Sequence, residues 1–78
     1  MAAVSETVTR VISEVLKQPV ALTDNLLELG VDSLVGTRIV VNLRSELGAD
    51  VPLLLLFENP VLSDFVDVVA EVVEDPHG

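Results

Sequence analysis

Few side chains in this chain of 78 residues are equipped for chemistry, and the foremost is Ser33 within "LELGVDSLVG", residues 27–36. Asp32 precedes it and a helix-like apolar run follows. Three roles are open to such a serine. It can help start a helix, because Asp and Ser side chains accept hydrogen bonds from the unpaired N–H groups of a first turn. It can be a hydrolytic nucleophile, but that requires a base close by. The single histidine, His77, lies in the terminal "DPHG", and Gly30-Val31-Asp32-Ser33 does not form the G-x-S-x-G elbow. It can also be a tether. A hydroxyl at a helix N-terminus is presented from the positive end of the macrodipole, where an attached phosphodiester finds donors and a favourable field. That arrangement holds a phosphate and does not turn over a substrate.

The other chemistries are poorly supplied. There is no cysteine, and with one histidine a zinc site built from protein ligands alone is not expected. The absence of thiols is compatible with a reducing, cytoplasmic setting. Thirteen acidic residues face four basic ones, Arg10, Lys17, Arg38 and Arg44, for a net charge of −9. That balance excludes the basic patch needed for nucleic acid and disfavours docking on anionic lipid. It favours basic patches on protein partners. No secretory signal is visible in "MAAVSETVTR", and the apolar run "VPLLLLF" is far shorter than the ~20 residues of a bilayer span.

Hydrophobic spacing supplies the scaffold. Val4, Val8, Val11, Ile12, Val15 and Leu16 recur at helical intervals up to Lys17, and Gln18-Pro19 is expected to close that helix. Residues 18–32 have no sustained period, yet Leu22, Leu26, Leu27 and Leu29 predict a long loop lying over the core with some leucines buried. A second helix is predicted from Ser33 to Leu47, with Gly36, Val35, Ile39, Val40, Leu43 and Leu47 inward and Gly48 as its stop. Pro52 opens a short helix over "PLLLLFE", which Asn59-Pro60 ends. The last segment is rich in valine and could pass for a strand on propensity alone. Its acids at 64, 67, 71 and 74, however, follow a helical period opposite Leu62, Phe65, Val66, Val69 and Val73. The predicted fold is all-α: a small four-helix bundle, three longer helices and one short, with a long loop between the first and second. One domain over residues 1–78 is expected, with an ordered core near 4–74 and a frayed tail at 75–78.

"DNLLELGVDSL" followed by "VPLLLLFENP" resembles the phosphopantetheine-dependent carrier proteins, the acyl and peptidyl carriers of fatty-acid, polyketide and nonribosomal-peptide assembly. The likeness runs from the first helix to the last. It implies that a separate phosphopantetheinyl transferase attaches 4′-phosphopantetheine from coenzyme A to Ser33. The terminal thiol then carries an acyl or aminoacyl group as a thioester. By the same likeness Asp32 assists attachment, helping to place the metal ion of the transferase. The implied protein is a non-catalytic monomer with no catalytic residue of its own and no membrane association. It serves an adenylation enzyme and condensation, tailoring or thioesterase enzymes. The borrowed sulfur also accounts for the missing cysteine.

Details of the chain lean toward a peptidyl carrier. On the second helix, Leu34, Thr37, Arg38 and Val41 align on a face turned from the core, next to Ser33. Leu54 and Leu55 of the short helix are candidates to extend this partner-binding patch. Family members often carry a polar or basic residue at the position of Leu54, so the leucine is a departure. Fatty-acid carriers usually have an acidic second helix, whereas this one carries Arg38, Arg44 and Glu46. Recognition is therefore expected to rest on shape and apolar contact more than on negative charge. "VPLLLLFENPVLSDF" is similar to peptidyl carriers. Gly30-Val31, where these commonly have two glycines, and Leu26-Leu27, where a Phe pair is usual, are not. The initial methionine favours a discrete carrier acting in trans. The alternatives are a polyketide or fatty-acid acyl carrier and, from another class, a small acidic interaction module in which Ser33 is only a cap.

Overall fold

A computed structural model describes residues 3–74. The tail at 75–78, with His77, lies outside the described residues. Four α-helices follow in order: α1 (Val4–Leu16), α2 (Ser33–Leu47), α3 (Leu53–Glu58) and α4 (Leu62–Glu74). Helix α1 packs on α2 and α4, and α3 packs on the same two; α2 against α4 and α1 against α3 make no more than marginal contact. The bundle is thus a ring, with α2 and α4 on opposite sides. It measures 31 × 25 × 20 Å.

The apolar stripes predicted from the sequence meet at the centre. Val8, Val11 and Ile12 of α1, Ile39 and Leu43 of α2, Leu56 of α3, and Leu62, Phe65, Val66 and Val69 of α4 are buried together. Val35, Val40, Leu47 and Val73 are half-buried at the margin of this core. Phe65 is its largest fully enclosed side chain. The valine-rich segment is helical throughout 62–74. Its acids Asp64, Asp67, Glu71 and Glu74 are all exposed, as a helical period requires and a strand period does not.

Helix ends show where local chemistry differs from expectation. Helix α1 stops at Leu16, one residue earlier than predicted, because Lys17 takes the left-handed conformation (φ 58°). The Gln18 N–H bonds back to the Ser13 carbonyl at 3.2 Å. Proline at 19 bars the preceding residue from helical geometry, so the chain must turn before it. Gly48 closes α2 as expected, with φ 69° and its N–H on the Arg44 carbonyl at 2.8 Å. Pro52 stands just outside α3 as its N-cap, in extended conformation, and not as its first helical residue. Asn59 closes the helix by bonding the Leu55 carbonyl through both backbone N–H and side-chain Nδ2, each at 3.0 Å.

The long loop is not irregular. Asn25 and Val61 form an antiparallel bridge, so the α1–α2 loop is stitched to the α3–α4 connection. Leu26 N–H donates to the Pro60 carbonyl at 2.7 Å, Leu62 N–H to Asp24 at 2.9 Å, and Ser63 N–H to Leu22 at 2.9 Å. Leu26 is fully buried, Leu29 packs against the core, and Leu22 and Leu27 stay exposed. Between helices, Arg10 bridges Glu46 of α2 and, at 3.3 Å, Glu14 of its own helix. The hydrogen bond from Arg10 to Glu46, followed by the charge of that carboxylate, raises the Arg10 pKa above the ordinary guanidinium value. All three groups are exposed, so screening leaves this network little weight in stability.

Stability is therefore expected to depend on the apolar centre. Phe65→Ala should cost about 3–5 kcal/mol in urea denaturation. Leu54→Ala, on the outer side of α3, should change stability by less than ~0.5 kcal/mol.

Candidate functional site

The start of α2 is built by the turn that precedes it. Asn25 Oδ1 accepts the Leu27 and Glu28 N–H groups at 2.9 and 3.2 Å, and Val31 N–H returns to the Leu26 carbonyl at 3.1 Å. Gly30 (φ 97°) completes the reversal in a conformation that side-chain-bearing residues rarely adopt. No neighbour lies within 4 Å of a Cβ built there, so backbone geometry and not space requires the glycine.

Val31 is then buried, and Asp32 follows as the N-cap. Its backbone is extended and its Oδ1 accepts the Val35 N–H at 2.9 Å. This resolves which member of the Asp-Ser pair caps the helix. Asp32 does; Ser33 is the first helical residue and is exposed, and no hydrogen bond from its hydroxyl occurs among the described residues. The Ser33 carbonyl accepts a bond from Thr37 Oγ1 at 2.7 Å, so the Thr37 hydroxyl is occupied within its own helix.

Four of the other singled-out residues lie on the same helix as this hydroxyl. Leu34, Thr37, Arg38 and Val41 are all exposed, with Leu34 at 72% and Val41 at 58%. On α3, Leu54 is 62% exposed, but Leu55 turns inward and packs against the core. Leu55 is thus only partly buried, because α3 commits only part of its short circumference to the core. Gly36 has a role beyond the inward position its spacing predicts. A Cβ there would lie 2.8 Å from Leu53 Cδ1 and 3.7 Å from Phe57 Cζ. The missing side chain lets α3 close on α2 one turn below Ser33. A glycine inside an otherwise apolar helical face is the signal in the sequence for such an approach.

An exposed hydroxyl at a helix N-terminus, relieved of capping by its neighbour, fits a covalently held phosphodiester. Its nearest neighbours in sequence are the capping carboxylate of Asp32 and the aliphatic side chains of Leu34 and Val35.

Residues 6–69 match the family described as "Phosphopantetheine attachment site". Two of the chain's relatives are different subunits of the linear gramicidin synthase of Brevibacillus parabrevis. To one of them the chain is 33% identical over 61 residues, 78% of its length. To the other it is 33% identical over 76 residues, 96% of its length. In each case it spans 1% of the relative's length. No solved structure matches it. The chain is a four-helix bundle and belongs to the phosphopantetheine-attachment family of carrier domains. Its cofactor is covalently attached 4′-phosphopantetheine. No helix among the described residues is long and apolar enough to cross a membrane.

Two substitutions test this construction. Gly36→Ala should be near neutral, because the Leu53 terminus can swing aside and alanine improves helix propensity by about 1 kcal/mol. Gly36→Leu should cost about 1–3 kcal/mol, read as a lowered urea midpoint, since it must displace α3 itself.

Proposed function

We propose that this chain is a peptidyl carrier whose Ser33 Oγ is the attachment point, serving nonribosomal-peptide or hybrid peptide–polyketide biosynthesis in the cytoplasm as a single monomeric domain. The observation that carries the proposal is the division of labour at the head of α2. Asp32 satisfies the Val35 N–H, and Ser33 is left exposed with its hydroxyl uncommitted. The similarity to two gramicidin synthase subunits supports the peptide side of the family over the fatty-acid side.

In this proposal a phosphopantetheinyl transferase directs Ser33 Oγ at the pyrophosphate of coenzyme A. The serine O–P bond forms and the pyrophosphate P–O bond breaks. Adenosine 3′,5′-bisphosphate leaves, and the serine proton passes to a base of the transferase. Bound at Ser33, the group supplies a thiol on a flexible arm, where an adenylation enzyme loads an aminoacyl cargo as a thioester. The chain's own residues contribute position and recognition. Asp32 fixes the first turn and assists attachment. Leu34, Thr37, Arg38, Val41 and Leu54 form the face on which the transferase, the adenylation enzyme and condensation, tailoring or thioesterase enzymes dock. Leu55, assigned to that face from the sequence, supports it from the core side. Catalysis resides in those enzymes.

Incubation with coenzyme A and a broad-specificity transferase should add one phosphopantetheinyl mass to the wild-type chain and none to Ser33→Ala. Ser33→Ala should keep its stability within about 0.5 kcal/mol, since Asp32 holds the cap. A mass gain that survives the substitution refutes the assignment. Asp32 can be dissected in the same assay. Asp32→Ala should lose about 1 kcal/mol of stability, whereas Asp32→Asn keeps the cap and should retain it. Slow modification of a fully stable Asp32→Asn protein would isolate the role of the carboxylate in attachment; a rate equal to wild type would reduce Asp32 to a cap.

A further inference from the structure

Helix α2 carries three charged residues, and two of them are spent within the chain. Glu46 holds Arg10 of α1, and Arg44 Nε lies 3.1 Å from Asp50 Oδ1 beyond the helix end. Arg38 is different. Its neighbours one turn away on the helix are Leu34, Val35, Val41 and Asn42, none of them acidic, and it is in no ion pair among the described residues. In a protein of net charge −9, Arg38 is therefore the one formal charge on the first half of α2, unpaired among the described residues, with the capping carboxylate of Asp32 just before the helix.

Its position gives that charge a consequence. Arg38 is four residues after Leu34 and three before Val41, so on the helix surface it neighbours both apolar residues. A partner that covers Leu34 and Val41 must cover Arg38 as well. Resting on the Ser33 assignment above, the enzyme most constrained is the transferase, which must bring its active site to Ser33 Oγ before any arm provides reach. Arg38 is five residues along the helix, about 7.5 Å at 1.5 Å per residue. A stable docking patch covers about 800 Å² on each partner and so extends well past that distance. Covering an unpaired guanidinium is costly unless the other surface answers it.

We propose that the transferase surface meeting α2 carries a carboxylate opposite Arg38, beside an apolar socket for Leu34 and Val41. This contact is opposite in sign to the one the overall charge of the chain would lead one to expect. Arg38 acts here in recognition and touches no reacting atom.

The test measures steady-state transfer from coenzyme A by mass spectrometry, using a broad-specificity bacterial transferase as probe. Arg38→Glu should raise KM for the carrier about tenfold with little change in kcat, because a charge reversal at a contact acts on docking. Arg38→Lys should restore most of the loss. Arg44→Glu, a reversal of the same size two turns on, should stay within about twofold of wild type. The gap between wild type and Arg38→Glu should narrow as salt is raised, which a folding defect would not produce. Equal KM values for Arg38→Glu and Arg44→Glu on a chain that is otherwise modified, or a lower KM for Arg38→Glu, overturn this inference alone. Failure of the wild-type chain to gain mass removes the Ser33 assignment and the inference with it.

Discussion

The architecture depends on one small closure, the backbone pairing of the α1–α2 loop with the α3–α4 connection. Leu26 N–H to Pro60 and Leu62 N–H to Asp24 are ordinary peptide hydrogen bonds. They join segments far apart in sequence and leave the ends of four helices with fixed relative positions. Without this closure, residues 18–32 would be a long flexible link, and the direction in which the chain enters α2 would be free. With it, the buried side chain of Leu26 anchors the Asn25 turn, the turn delivers Gly30 and Val31, and Val31 seats the cap. The orientation of Ser33 is thus inherited from contacts on the far side of the loop. Backbone pairing suits that task, since a buried link must satisfy its own N–H and C=O groups in any case.

A second constraint acts from below. Helix α3 closes on α2 at Gly36, where any side chain would meet Leu53. One turn above that contact, the α2 surface opens and Ser33 stands clear. The same helix is thus held tightly on one side and left unoccupied on the other. Asp32 extends the division, because it absorbs the capping duty a serine in that position would otherwise share. On the proposed assignment of Ser33, a hydroxyl that another enzyme modifies has to be free of such local bonds. Here the neighbouring residue, and not a cavity or a moving segment, secures that freedom.

Most of the helical framework is legible in the sequence because period 3.6 is a local signal. The limits of α2 emerge from Asp32, Ser33 and Gly48, and α4 emerges from its acids despite the β propensity of its valines. The loop pairing is not legible, since no local pattern says that Asn25 and Val61 will meet. Lys17 in left-handed geometry is also hidden, because glycine is the residue that usually announces such an end. The candidate site is legible as a place and less so as a construction. In the sequence the aspartate and serine are equivalent caps, and only the folded backbone separates them. Leu54 and Leu55 cannot be told apart because a helix of six residues is too short for periodicity to choose between adjacent leucines. Gly36 falls on the correct face, but its close approach to Leu53 depends on a helix the period cannot position.

The ring order of the helices finally separates two kinds of electrostatic effect. The acids of α4 at 64, 67, 71 and 74 lie on a helix that is opposite α2 and barely touches it. Their field extends into solvent as a sum over many charges and is felt over about a Debye length, roughly 8 Å in physiological salt. It affects solubility and the approach of partners and specifies no contact. On α2 the situation is reversed. Arg44 and Glu46 are paired within the chain, and what remains on α2 near Ser33 is aliphatic surface interrupted by Arg38, with the exposed capping carboxylate of Asp32 just ahead of the serine. Surfaces of that kind discriminate at contact distance, where shape and a single charge decide the fit. An acidic protein can therefore present a helix face with little acidic charge, provided most of its acids are placed on helices that do not share a side of the bundle.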